Sequence, residues 1–402
     1  MDKPKTSMHK LVFPAALAAL ISLNSCGPTN KTEQKASDSI AVATGDTTAI
    51  VSAKLPDPAS FAGDVNGKKA ALFILKNKDM QVAITNYGAR IVGILVPDKM
   101  GKQTDVAPGF VSVAAYQKAN EPFYGPIVGR FGNRIAKGKF TLDGKTYQTE
   151  LNNNGNTLHS GPSGFHSRVW DAKQVNDKTL ELTYVSKDGE GGFPGTVTTN
   201  VTYSLTDNHG LRIDYKATTD KATPYNPTSH GFFNLNGEGS GTINNHVLMI
   251  NADKYSLVDK GLIPQGEPVS VAGTPFDFRK ATAIGARVNE KNEQLTFGGG
   301  YDHNWVLNKA GGMTKAGEIT GDKSGIRMEV LTTEPAMQFY GGNFFKGNDT
   351  GKYGKATNYR EAFALETQHY PDSPNHPAYP TTILKPGQTY RQTTEYRFSV
   401  IK

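Results

Sequence analysis

Apolar and polar positions alternate with period two along much of this chain. Val197, Thr199, Val201, Tyr203 and Leu205 alternate with Thr198, Asn200, Thr202 and Ser204. Leu180 to Tyr184 repeats the pattern, as do Leu211, Ile213 and Tyr215 after the turn residues Asp207-Asn208-His209-Gly210. Successive side chains of a strand point to opposite faces, so each run predicts a strand with one buried and one wetted face, as in antiparallel sheets. Met80–Tyr87 and Arg90–Val96 predict two more strands. Phe140–Leu142 and Tyr147–Thr149 flank Asp143-Gly144-Lys145, which predicts a hairpin. No sustained helical period competes, and 43 Gly and 22 Pro supply turns between strands. No internal repeat is visible, and nothing between residues 61 and 402 marks a second domain boundary. The expectation is an all-β chain built as one large antiparallel β-sandwich.

One stretch puts a charge into this pattern. In Phe363-Ala-Leu-Glu366-Thr-Gln-His369-Tyr370-Pro371, alternation sends Phe363, Leu365 and Thr367 to one face and Ala364, Glu366 and Gln368 to the other. If the second face meets solvent, Glu366 is an ordinary surface carboxylate. If it lines a cleft, Glu366 is a positioned base.

Composition narrows the class. Hydrophobic residues make up 37% of the 402, enough for a core. The formal charge is +7, but basic residues are scattered and no nucleic-acid module is visible, so the charge reads as a solvated surface. Residues 1–25 read as an export signal, with Lys3, Lys5 and Lys10 before an apolar run from Leu11 to Leu23 that is too short for a permanent span. Cys26 follows at once and is the only cysteine, so no internal disulfide is available. Leu23-Asn24-Ser25-Cys26 resembles the lipobox of bacterial lipoproteins. That resemblance implies cleavage before Cys26, lipidation of its thiol and attachment to a membrane surface without spanning it. Gly27 in the next position, by analogy with lipoprotein sorting, implies the outer membrane, facing the periplasm. Residues 26–58, rich in Thr, Ser, Ala, Lys and Asp, then read as the lipidated Cys and a flexible tether, with the folded domain at 59–402.

Five stretches concentrate polar side chains among glycines and aromatics: Gly129–Ile135, Asn156–Gly161, Thr228–Asn234, Gly299–Trp305 and the Glu366 stretch. Singly each is weak. An isolated His is more often a hydrogen-bonded structural residue than a catalyst, and an Asp after Gly-Gly more often a turn former. Together, with Gly191–Gly195, Gln338–Tyr340 and Gly342-Asn343, they resemble the aldose 1-epimerase (galactose mutarotase) family, in register over about residues 61–402.

The resemblance implies a large antiparallel β-supersandwich that interconverts the α and β anomers of free aldohexoses such as galactose or glucose. It implies Glu366 as general base, His230 as general acid and His159 as a second active-site histidine near the ring oxygen. It also implies Asn133, Arg134, Asp302 and Gln338 as ligands of sugar hydroxyls, and Phe193 as an aromatic beside the sugar. The implied partner is a monosaccharide; the acid–base chemistry calls for no metal or organic cofactor. Two departures stand out: Phe232 occupies a position where the family often has Tyr, and Ser160 one where Gly is common. Within the fold, the alternatives are a non-catalytic sugar binder and a sugar-phosphate mutarotase; the Glu366–His230 pair argues against the first. No extra arginines gather near the motifs to hold a phosphate. A glycoside hydrolase using Glu366 and Asp302, and a metal site at His159, His230 and Asp302, are further rivals.

Overall fold

The computed structural model describes residues 53–309 and 311–401. The export signal, Cys26 and the tether up to residue 52 lie outside the described residues. The packed domain starts before the expected boundary at residue 59. Ala53 donates its N–H to the Gln103 carbonyl, Leu55 packs on buried side chains, and Asp57 caps the 3-10 turn Pro58–Phe61. An apolar residue and a cap on either side of Pro56 tie that segment down.

The all-β expectation holds. The α-helices among the described residues are two short pieces of six residues, Val113–Lys118 and Glu293–Gly298. Three antiparallel sheets carry most of the remainder. The largest has nine strands and includes Val197–Leu205, which alternates buried and half-buried positions along its whole length. It pairs on one side with Thr179–Ser186 and on the other with Gly210–Thr219. A four-stranded sheet runs from Leu72–Lys76 to Gln103–Asp105. The predicted hairpin forms between Lys139–Leu142 and Lys145–Gln148, with Asp143 (φ 50°) and Gly144 (φ 73°) both left-handed in the two-residue loop.

A six-stranded sheet positions the chemistry. Its order is Phe232–Phe233, Phe363–Gln368, Ala336–Tyr340, Asp302–Leu307, Ala252–Tyr255 and Val269–Ser270. Phe363 and Leu365 face the main core, which they share with Phe339, Trp305 and side chains of the nine-stranded sheet such as Val330 and Tyr396. The opposite face carries Ala364 and Glu366. Register sets Gln338 beside Glu366, and Asn304 beside Gln338, in a row across three strands. The same alternation that buries Leu365 in hydrocarbon therefore lifts Glu366 to the other side.

Candidate active site

That other side is a cleft. It encloses about 680 Å³ and is lined by Glu366, His230, His159, Asn133, Arg134 and Asp302, among others. Each of the five polar stretches contributes to it, so the fold gathers residues that lie up to 233 positions apart.

The two ends of Thr228–Phe233 fix His230. Thr228–Ser229 pairs with Ile127–Val128, while Phe232–Phe233 pairs with Phe363 and Ala364. Between them His230 donates its N–H to the Pro126 carbonyl and accepts from Gly125 N–H. Its Nε2 stands 3.6 Å from Glu366 Oε1, and both side chains are buried. His159 sits in a left-handed conformation (φ 51°), as does Asn133 (φ 61°). The two are clamped reciprocally: His159 N–H donates to the Asn133 carbonyl, and Asn133 N–H donates to His159 Nδ1 at 3.1 Å. Strained backbone persists where surrounding contacts over-determine it, as here.

The clamp has a chemical consequence. An Nδ1 that accepts a backbone N–H carries no proton, so neutral His159 keeps its proton on Nε2. Nε2 is then a hydrogen-bond donor. Metal-ligating atoms of His159, His230 and Glu366 lie within 4.8 Å of one another, a spacing that suits an ion. With its lone pair committed at Nδ1 and its proton at Nε2, however, His159 is set up to donate to an oxygen rather than to bind a metal.

Asp302, two strands from Glu366 in the same sheet, pairs with Arg134. Arg134 Nη2 lies 3.8 Å from Asp302 Oδ2 with both side chains buried, and Arg134 Nε donates to Asn153 Oδ1 at 3.1 Å. Gln338 stands between Glu366 and Asp302, and its Oε1 has no partner among the described residues. Its Nε2 donates to Asp302 Oδ1 at 2.7 Å and so holds the carboxylate in place. The Asp302 carboxyl is nonetheless pushed upward: burial outweighs the help from Arg134 and Gln338. Burial also lifts Glu366 well above the ordinary carboxylate range; Asp302 adds to this and Arg134 opposes it. His230 moves the other way, down to about 4, chiefly through burial. The low-dielectric cleft thus disfavours charge on both members of the pair.

Phe193 is a correction. It does not line the cleft; it is buried in a small cluster with Phe131, Ile135 and Phe140, stacked on Phe140 with ring centroids 6.0 Å apart. The left-handed glycines Gly191 (φ 61°) and Gly192 (φ 88°) turn the chain so that the ring enters this cluster, where its apolar surface is fully covered. Phe193→Leu is expected to cost about 1–3 kcal/mol in stability and to leave KM unchanged. A raised KM in steady-state kinetics would return the ring to the site.

Both departures from the family pattern also lie off the cleft lining. Phe232 packs against Tyr124 and Phe345 and edge-on against the His230 ring. Ser160 Oγ accepts from Phe131 N–H at 2.7 Å and donates to the Phe131 carbonyl at 3.1 Å, satisfying a buried backbone unit. Arg130, part of the same motif as Arg134, is structural: its guanidinium binds the carbonyls of Ser186, Lys187, Pro194 and Gly195.

Sequence reasoning missed Glu121, Phe123 and His166, all of which line the cleft. Phe123 is the hub, with ring centroids 4.5, 4.9 and 5.7 Å from those of His159, His166 and His230. The only signal was an aromatic pair, Phe123-Tyr124, just before the Gly129 motif.

Comparison with known proteins agrees with this geometry. A sequence profile of the aldose 1-epimerase family matches residues 71–397. The chain is 40% identical to galactose mutarotase of Bos taurus over 328 residues, 82% of this chain and 94% of that one. It is 38% identical to aldose 1-epimerase of Escherichia coli K12 over 337 residues, 83% and 96% of the two chains. Among solved structures, an aldose epimerase homologue from C. elegans superposes with a TM-score of 0.77 at 28% identity, covering 83% of this chain and all of that one. Galactose 1-epimerase from Lactobacillus acidophilus superposes with a TM-score of 0.74 at 28% identity, covering 85% and 97%. The chain belongs to the aldose 1-epimerase family.

Proposed function

We propose that this protein interconverts the α and β anomers of free aldohexoses, galactose or glucose among them, using Glu366 as base and His230 as acid. The observation that carries the assignment of roles is the buried pair itself, 3.6 Å apart in the cleft. Glu366 takes the proton from the C1 hydroxyl while His230 gives one to the ring oxygen. The C1–O5 bond breaks, leaving an aldehyde and a C5 hydroxyl. Rotation about C1–C2 and reclosure on the other carbonyl face, with both protons returned, gives the other anomer.

Burial supports this sequence energetically. Before ring opening the pair is charged, carboxylate beside imidazolium. After it, both are neutral. A cleft that raises Glu366 and lowers His230 disfavours the charged pair and so favours the ring-opened state. His159, donating from Nε2, steadies the ring oxygen as it leaves C1. Asn133, Arg134, Asp302 and Gln338 hold ring hydroxyls.

The pair works only while it holds one proton. A second proton puts Glu366 out of action as base; loss of the first leaves no acid. kcat/KM is therefore expected to be bell-shaped in pH, with limbs that belong to the coupled pair rather than to either residue. Polarimetry on freshly dissolved α-D-galactose and α-D-glucose, with protein lacking residues 1–26, tests the reading. Acceleration of the optical drift is expected. Folded protein that accelerates neither sugar overturns free-hexose mutarotation, and a flat pH profile overturns this acid–base pair.

We also infer that the chain is exported, cleaved before Cys26, lipidated there and held at the outer membrane facing the periplasm. The basic residues Lys3, Lys5 and Lys10, the apolar run and the single cysteine support this. Incorporation of labelled palmitate that is lost in Cys26→Ser is the expected result; label retained in the variant would contradict it.

A further inference from the structure

Three carboxyl groups face the cleft, and the reaction described above uses two. The third is Glu121, in the loop Asn120–Phe123. The loop is fixed from outside: Asp349 accepts the N–H groups of Asn120 and Glu121 on its two oxygens, at 2.8 and 3.0 Å. Glu121 Oε1 in turn accepts Phe123 N–H at 2.9 Å. No described residue donates to its other oxygen. A glutamate pinned at one oxygen, on a clamped loop, with the second oxygen unpaired at a cleft wall, is placed to accept from a ligand.

His166 lies next to it across Phe123. Its ring is buried and edge-on to Phe123 at 4.9 Å, it lines the same cleft, and its Nδ1 has no hydrogen-bond partner among the described residues. Nδ1 is fully covered and lies against Gly164, so Nε2, which no described residue engages, is the nitrogen left for a ligand in the cleft. Its neighbours leave the imidazole neutral, pulled down to about 3 by burial, then by Arg90 and Arg168. A neutral imidazole either donates or accepts at Nε2, according to its tautomer, and a sugar hydroxyl can match either.

We infer that Glu121 and His166 form a second set of sugar-hydroxyl ligands, distinct from Asn133, Arg134 and Asp302, and that they set which aldose the enzyme prefers. This rests on the mutarotase reading of the cleft. Glu121 also acts on the base. Arg90, Tyr124, Asp302, Tyr340, Asp349 and Glu366 are the charged and titratable groups in its field. Burial pushes Glu121 itself up to about 7, and its anion pushes Glu366 higher still. Its charge is present only on the alkaline side, so removing it moves the alkaline limb of kcat/KM, where the pair loses its proton, to lower pH.

The experiment compares wild type, Glu121→Gln, Glu121→Ala and His166→Asn by polarimetry on galactose, glucose and xylose across pH, with folding checked by circular dichroism. Glutamine keeps an oxygen for Phe123 N–H, so Glu121→Gln isolates the charge. Expected are a KM raised about tenfold or more in Glu121→Ala, kcat largely kept, an altered galactose-to-glucose ratio in the Glu121 variants and in His166→Asn, and an alkaline limb shifted down in Glu121→Gln. A purely structural role would move none of the sugar ratios. Active wild type with variants unchanged in KM, sugar ratio and alkaline limb overturns this inference alone. Folded wild type that acts on none of the three sugars overturns the mutarotase reading and this one with it.

Discussion

Glu366→Gln is expected to lower kcat by about 10²–10⁴-fold, the contribution of one positioned base, while the fold survives. Glutamine matches the side chain in size and can still hydrogen-bond a sugar hydroxyl, so KM should change far less than kcat. The same substitution should stabilise the protein at neutral and alkaline pH. The folded-state pKa of Glu366 lies above its unfolded value, because burial and Asp302 disfavour the anion. Such a group favours the fold below the unfolded carboxylate range. That contribution is lost as pH rises through the folded pKa, where a buried charge must form. The amide has no such charge. Thermal melts of both proteins from pH 4 to pH 9 should therefore diverge as pH rises, with the inactive variant melting higher. Coincident melting curves would mean that Glu366 meets solvent more freely than its burial indicates. A gain in stability with loss of activity is what a strained, charge-bearing site produces.

Much of the framework behind this prediction was legible in the chain. Strict alternation in Val197–Leu205 reports a strand buried on one face, and Asp143-Gly144 reports a two-residue hairpin loop, because both depend on neighbours in sequence. Alternation also put Glu366 opposite Leu365, though whether that face was wet or enclosed depends on His230, Asp302 and Arg134, brought in from other strands. Phe193 shows the limit. An aromatic after Gly-Gly is compatible with a sugar platform or a core, and only the position of Phe140 and Ile135 decides for core. Glu121 was illegible for a related reason. It reads as a loop glutamate before a proline, and the clamp that aims it into the cleft comes from Asp349, 228 positions away. The departures at Phe232 and Ser160 stood out from the family pattern, but the sequence could not say what they touch. Their contacts complete packing behind His230 and a backbone unit at Phe131.

Asp302 should be the most damaging position to truncate on the binding wall. Asp302→Ala removes three things together: the acceptor for Gln338 Nε2, the counter-charge for buried Arg134 and a ligand for sugar hydroxyls. Breaking a buried pair by deleting one partner leaves a bare charge and typically costs about 3–5 kcal/mol, more than a surface pair is ever worth. Asp302→Asn keeps an oxygen for Gln338 but not the charge. The order of damage in stability should therefore be Ala worse than Asn, and both worse than wild type. For catalysis, losing a hydrogen bond from a charged group costs about 1.5–3 kcal/mol, so kcat/KM should fall roughly ten- to a hundredfold in Asn and further in Ala. Glu366 gives an independent readout. Asp302 favours protons on the Glu366–His230 pair, so neutralising it should move the limbs of kcat/KM to lower pH in both variants. Arg134→Met on the Asp302→Ala background should then recover stability without recovering sugar use, because it removes the unpaired charge but restores no ligand. Recovery of activity in that double variant, or wild-type kinetics in Asp302→Ala, would place the sugar elsewhere in the cleft.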